Sequence, residues 1–151
     1  MNTLDTAKAV LAAFEARDLK ATAALLADDF ELTGPAPVAL NKDQYLVFQA
    51  IHNEGFTDWR FNIKEAHAEG DKAYVSIQIT ATHNGVYDVS KIGVPIPPLQ
   101  PTDKSRAWPV EHLTVTVKDG KVRQLYVKNE PAGGVMGTLE WLGVRVPAPN
   151  L

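Results

Sequence analysis

The pattern of apolar and polar positions divides the chain into two textures. Through roughly the first third, apolar residues recur at helical spacing. Ala7, Val10, Leu11 and Phe14 share one face behind a capping residue at Asn2 or Thr3. Asp18 is placed to cap a short second helix through Leu25 and Leu26, which the Asp28-Asp29 pair ends, and FELTG (Phe30 to Gly34) reads as a short strand. After a turn carrying Pro35 and Pro37, Asn41 caps a third helix that puts Tyr45, Phe48, Gln49 and His52 on one face and stops at Gly55. Beyond Gly55 the period changes to two. WRFNIKEAHAE, KAYVSIQITATH, WPVEHLTVTV and KVRQLYVK alternate β-branched and aromatic residues with polar ones, as strands do. Glu69-Gly70-Asp71 and Lys118-Asp119-Gly120-Lys121 read as tight hairpins, which make the strands they join antiparallel. The ending GGVMGTLEWLGV is either a last helical turn or an apolar tail. Helices first and a meander after predict an α+β fold, a curved antiparallel sheet with the helices segregated on one face.

Composition narrows the partners. At 151 residues, 45% hydrophobic and 22% charged, the chain suits one folded domain spanning 1–151. A net charge of −3, with only the short basic clusters Lys104 to Arg106 and Lys118 to Arg123, argues against nucleic acid. No apolar run approaches the ~20 residues of a membrane span, and MNTLDTAKAV lacks the basic-then-apolar order of a signal peptide. The expected location is the cytoplasm. The absence of cysteine removes disulfides, thiolate metal sites and cysteine nucleophiles. No two of the four histidines stand at a spacing diagnostic of a metal site, and there is no G-x-S-x-G, phosphate-binding loop or dinucleotide fingerprint.

The order of parts resembles a known family, the SnoaL-like polyketide cyclases of the nuclear-transport-factor-2-like superfamily of cone-shaped α+β barrels. The resemblance covers nearly the whole chain and rests on ALLADDFELTGP, EGDKAYVSIQITATHNG, VKDGKVRQLYV and the closing TLEWLGV. It implies a conical pocket between the concave sheet and the helices, and a homodimer formed through the sheet. It implies no metal and no organic cofactor. It further implies carboxylate chemistry on a small, largely apolar carbonyl compound, either cyclisation or isomerisation, with a buried carboxylate as base. A relative that hydrolyses epoxides uses an Asp-Arg-Asp arrangement, which this sequence does not supply in an obvious way around Arg60 or Arg106.

The resemblance makes Glu130 a candidate general base or acid, where family members commonly carry aspartate. It also aligns His83, in ATHNG, with the family's GTH strand end, as a donor to a substrate carbonyl or as a loop-holding residue. Parity adds a third catalytic candidate. Glu111 shares its side of a strand with Leu113, Val115 and Val117, whereas His112 lies on the other side with Thr114 and Thr116. Gln124, Tyr126, Lys128 and Glu130 form one side of the last strand and Leu125, Val127 and Asn129 the other. If the polar side faces the cone, Tyr126 lies beside Glu130 in the pocket; if the apolar side does, the pocket is greasy and Glu130 lies outside. Trp59, Trp108, Tyr45, Phe48 and His52 are the remaining candidates for pocket walls, with His112 at an interface or in the pocket. The proline-rich stretch GVPIPPLQPTDK, Gly93 to Lys104, is expected to be a semi-rigid flap over the cone's mouth or toward a second subunit. Two functions fit these residues, a cofactor-independent cyclase or isomerase and a non-catalytic ligand-binding or dimerisation module of the same fold.

Overall fold

A computed structural model describes residues 1–36 and 38–146. Pro37, half of the expected proline turn, lies outside the described residues. Helix α1 (Thr3–Glu15) begins where the Asn2 side chain accepts from the Asp5 amide, and α2 (Leu19–Leu25) where Asp18 accepts from the Ala21 amide. Helix α3 (Lys42–Gly55) starts with a full capping box, Asn41 and Gln44 satisfying each other's backbone amides. The strands are β1 (Leu26–Thr33), β2 (Leu40–Asn41), β3 (Glu65–Glu69), β4 (Lys72–Ile77), β5 (Thr80–Thr82), β6 (Ser105–Ala107), β7 (Glu111–Lys118) and β8 (Lys121–Val127). The ending is a helix, α4 (Gly134–Trp141).

Six strands form one sheet in the order β2-β1-β8-β7-β4-β3, and β5 with β6 forms a separate pair. The fold is α+β, as expected, with three corrections. First, β1 runs parallel to β8, so the sheet is mixed. The hairpins at Gly70 and at Asp119-Gly120 force their strands antiparallel, but the long connection from β1 to β8 leaves direction free. Second, Asp28 and Asp29 lie inside β1, at a register shift between Leu26 and Glu31, rather than ending α2. Asp29 meets Arg123 of β8 at 3.1 Å there. Third, Trp59 and Trp108 precede strands instead of starting them. The Trp108 amide donates to Ile79 O (2.8 Å) in the irregular turn between β4 and β5, and β7 starts only at Glu111.

The inner sheet face meets α1 and α3 in one continuous core that includes Val10, Phe14, Leu32, Phe48, Val75, Val115 and Leu125. The outer face carries Tyr74, His112, Thr114, Thr116, Gln124 and Tyr126, which are exposed or partly exposed.

The proline-rich segment does not cover the cavity described below, because none of its residues lines that space. Only part of it joins the core, since nine of its twelve residues are exposed. Val94 and Ile96 are buried, Leu99 pairs with Tyr87 through two 2.9 Å backbone bonds, and Val89–Ile92 form a 3₁₀ turn ahead of it.

Gly34 sits where β1 and β8 end together. Its φ is +112°, and a Cβ there would lie 1.9 Å from the Val127 carbonyl oxygen. Gly34→Ala is expected to destabilise the protein by at least ~2 kcal/mol, through backbone strain and displacement of Val127. Urea unfolding with an unchanged midpoint would contradict this.

Candidate functional site

Between the inner sheet face and the helices lies a cavity of about 60 Å³, against the ~10–15 Å³ that one water needs. Its floor is Leu32, Ile77, Leu113, Leu125 and Val127 from the sheet. Its sides are Leu11 and Phe14 from α1, Tyr45, Phe48 and His52 from α3, and the rings of Trp59, Phe61 and Trp108. Pro35 with Gly134, Val135 and Thr138 of α4 closes the remaining side. Among the lining residues the only carboxylate is Glu111.

Glu111 is the first residue of β7, opposite Ile77 of β4. The alternation that buries Leu113, Val115 and Val117 turns its carboxyl inward, and the residue is only 4% exposed. Its Oε1 has no hydrogen-bond partner among the described residues. Burial raises the carboxyl pKa from 4.5 to about 7, opposed by the positive charge of Arg106, reinforced by Glu130 and opposed again by the Gly134 amide. At neutral pH such a group exchanges a proton with almost no bias.

A second buried polar atom, on a residue that lines the same cavity, is also without a partner among the described residues. Trp59 is 8% exposed, and its indole Nε1 is buried and unbonded among the described residues. Leaving a buried donor unpaired costs ~1–3 kcal/mol. Trp108, Thr138 and His52 of the wall are satisfied internally. Trp108 Nε1 donates to Thr138 Oγ1 (3.0 Å), which donates to Gly134 O (2.9 Å). His52 Nδ1 lies 2.7 Å from Phe48 O, and its Nε2 lies 2.9 Å from the Tyr87 hydroxyl. A carbonyl only accepts, so Nδ1 carries the hydrogen and Nε2 accepts from Tyr87. Burial holds the His52 pKa down at about 4, which keeps the ring neutral. Burial also keeps the Tyr45 and Tyr87 hydroxyls protonated by raising their pKa values.

Several candidates fall outside the cavity. Tyr126, 44% exposed, and His112 lie on the outer sheet face, because the apolar side of β8 is the one that turns inward. Glu130 follows the strand end and lines a crevice of about 20 Å³, bounded also by Glu111, Pro35, Gly133 and Gly134. Both acids line that crevice, and Glu130 does not line the main space. His83 is fully buried beside the proline-rich segment. Its Nδ1 accepts from the Thr102 amide (3.3 Å) and lies 3.0 Å from Thr102 Oγ1, and its backbone pairs with Asp103 and Lys104. Burial lowers its pKa. Of the two roles read from the sequence, it occupies the position of the loop-holding one.

Sequence reasoning missed α4 as a wall, although Val135, Thr138 and Leu139 stand at helical spacing and are all buried. It also missed what holds α4 in place. Arg106 donates from Nη2 to Ala132 O (3.0 Å) and from Nη1 to Gly137 O (3.3 Å), while its guanidinium lies 5.0 Å from the Trp108 ring centre and 5.7 Å from that of Trp141. Arg106 is committed to those carbonyls, with Glu111 and Glu140 near enough to favour its charged form, and the residues that line the cavity include no arginine and no aspartate. Because its positive charge favours the ionised form of Glu111, Arg106→Met is expected to raise the Glu111 pKa above about 7. Carboxyl ¹³C NMR titration measures this, and an unchanged or lower midpoint would refute the coupling.

Among the described residues no three histidine or acidic side chains converge as metal ligands, and no helix is long and apolar enough to cross a membrane.

Comparison with known proteins agrees with this architecture. No curated protein matches the chain. Among solved structures, AclR, a candidate hydroxylase from Streptomyces galilaeus, superposes with a TM-score of 0.71 at 21% identity, over 98% of this chain and 85% of its own. IdmH, a candidate polyketide cyclase from Streptomyces antibioticus, does so at 0.70 and 16%, over 95% and 100%. An LEH-like epoxide hydrolase from M. tuberculosis gives 0.66 at 12%, over 93% and 92%. These likenesses establish the fold, which carries several named chemistries. The SnoaL-like domain itself matches residues 7–125, and the chain belongs to that family.

Proposed function

We propose that the chain is a cofactor-independent acid–base catalyst of the cyclase or isomerase type, acting on a small, largely apolar carbonyl compound, with Glu111 as the proton-transfer group. One observation carries the reading: a single carboxyl, 4% exposed and with a pKa of about 7, lines an otherwise apolar internal cavity. Burial that disfavours the charged form makes the carboxylate a stronger base than one in water, and it makes the protonated form a competent acid in the return step.

In this reading Glu111 replaces Glu130 and His83 as the group at the reacting atoms. Glu130 faces the crevice behind Glu111 and tunes it by charge. Tyr45, Phe48, Trp59 and Trp108 shape the space, and His52 is a neutral, doubly bonded part of the wall. The test is hydrogen–deuterium exchange at the α-carbon of cyclohexanone in D₂O, followed by NMR with the parent protein and with Glu111→Gln. Exchange that is accelerated by both proteins equally, or by neither, would remove Glu111 from the reaction. Binding without exchange would favour a ligand-binding module.

A further inference from the structure

The cavity has room for about four to six water-sized groups, at ~10–15 Å³ for each. A ring ketone fills it alone, so anything attached to the ring must lie elsewhere. Two further spaces stand beside it. The crevice of about 20 Å³ shares Pro35, Glu111, Val127 and Gly134 with the cavity. It also shares Gly34, Pro35, Asn129, Glu130, Gly133 and Gly134 with a surface groove of about 410 Å³. That groove follows one face of α4, where Gly133, Met136, Gly137 and Glu140 recur at helical spacing. Cavity, crevice and groove therefore stand in a row, with Glu111 at the first junction. The grooves at the β7–β8 hairpin and beside β5 and β6 share no lining residue with the cavity.

A glycine that the backbone does not require stands in the middle of this row. Gly133 has φ −90° and ψ 176°, which any residue adopts. Yet a Cβ there would lie 3.1 Å from the Glu130 carbonyl oxygen and 3.5 Å from the Glu111 carboxyl carbon, so any side chain would project among the groups that line the crevice. The Val135 amide donates to Pro35 O (2.8 Å), which ties Pro35 to the start of α4 and fixes the spacing of the crevice's banks. At about 20 Å³ the crevice is one water-sized group wide. Beyond it Met136, 45% exposed, offers a flexible thioether side chain to the groove.

We propose that the ligand site continues from the cavity through the crevice into this groove, and that the ligand is a carbonyl compound with a compact head and an unbranched apolar chain on the carbon beside the carbonyl. The head lies in the cavity, the chain leaves past Glu111 between Pro35 and Gly133, and its end lies on Ala36, Ala132 and Met136. The point of attachment rests on the proton-transfer reading above. Glu111 lines both spaces, so the carbon it deprotonates is the one nearest the crevice. An unbranched chain gains roughly fourfold in affinity for each methylene it buries, whereas a chain branched at its first carbon meets the banks.

The experiment compares two isomers of one formula, 2-butylcyclohexanone and 2-tert-butylcyclohexanone. They carry the same number of carbons, so an unspecific gain from apolar bulk cancels. Calorimetric titration of the parent protein is expected to show the butyl isomer binding at least ~10-fold more tightly. Gly133→Ala should remove most of that preference, because its methyl group occupies the crevice. A second readout uses the parent alone. Its two methionines, Met1 and Met136, give two methyl signals after ¹³C-methyl labelling, and the one lost in Met136→Leu belongs to Met136. The butyl isomer should move that signal and the tert-butyl isomer should leave it in place, whether or not Gly133→Ala folds. Equal affinity for the isomers overturns the proposal, as does a Met136 signal that answers both alike or neither. So does an undiminished preference in folded Gly133→Ala. The two readings also separate. Preference for the butyl isomer without α-exchange keeps the chain site and removes Glu111 as base, whereas Glu111-dependent exchange of cyclohexanone with equal affinity for the isomers removes the chain site alone.

Discussion

Glu111→Gln is expected to slow protein-catalysed α-hydrogen exchange by ~10²–10⁴-fold, the usual contribution of a positioned general base. Glutamine keeps the size and much of the polarity of the side chain but accepts no proton, so loss of rate with retained ketone binding separates chemistry from packing. The pH dependence makes the assignment specific. Exchange in the parent should rise as the carboxylate forms, with an apparent midpoint near 7, and level off above it. A carboxylate in water would be fully ionised well below that. Glu130→Gln supplies the control. Removing its charge lowers the Glu111 pKa, since Glu130 is one of the influences raising it, so the rise should move to lower pH without collapse of the plateau. A rate insensitive to Glu111, or a profile already flat at pH 5, would end its candidacy.

The second large effect concerns stability. Glu111 has a folded pKa of about 7 against 4.5 unfolded, so between those values the native state binds more protons than the unfolded one. Its contribution is fully present below 4.5 and is lost as pH rises through 7, a difference of about 3 kcal/mol. His52 acts in the opposite sense. Its folded pKa of about 4 lies below its unfolded 6.5, so it contributes stability above 6.5 that is lost as pH falls toward 4. Over most of pH 4.5–6.5 the two therefore offset each other, and the parent's own profile hides both. The difference between Glu111→Gln and the parent isolates Glu111. Relative to the parent, the variant should gain about 3 kcal/mol between pH 4.5 and 8, or ~6–12 °C in Tm for a chain of this size. Parallel Tm curves for the two proteins would show that Glu111 is not held in a low-polarity site.

The residue behind both effects is legible in the chain itself. The alternation of EHLTVTV puts Glu111 on the stripe of Leu113, Val115 and Val117, because side-chain direction along a strand follows parity. Asn2, Asp18 and Asn41 are legible as caps for a similar local reason: a short polar side chain ahead of an apolar periodic run satisfies the first free amides. Parity does not choose a face for β8, since both of its sides carry plausible pocket residues. Burial of Leu125 and Val127 against the helices settles it and sends Tyr126 outward.

The sequence by itself determined the α+β class, the three capped helices, both tight hairpins and the inward parity of Glu111, all of them consequences of spacing within a few residues. Tertiary structure alone decided the parallel pairing of β1 with β8, the burial of Val94 and Ile96 from the proline-rich segment, the placing of α4 along the cavity under Arg106, and the lone carboxyl among the cavity's lining residues. Each of these depends on what residues far apart in the chain leave for one another: which strand edge is free, which carbonyls a guanidinium can reach, and which buried donors find no acceptor.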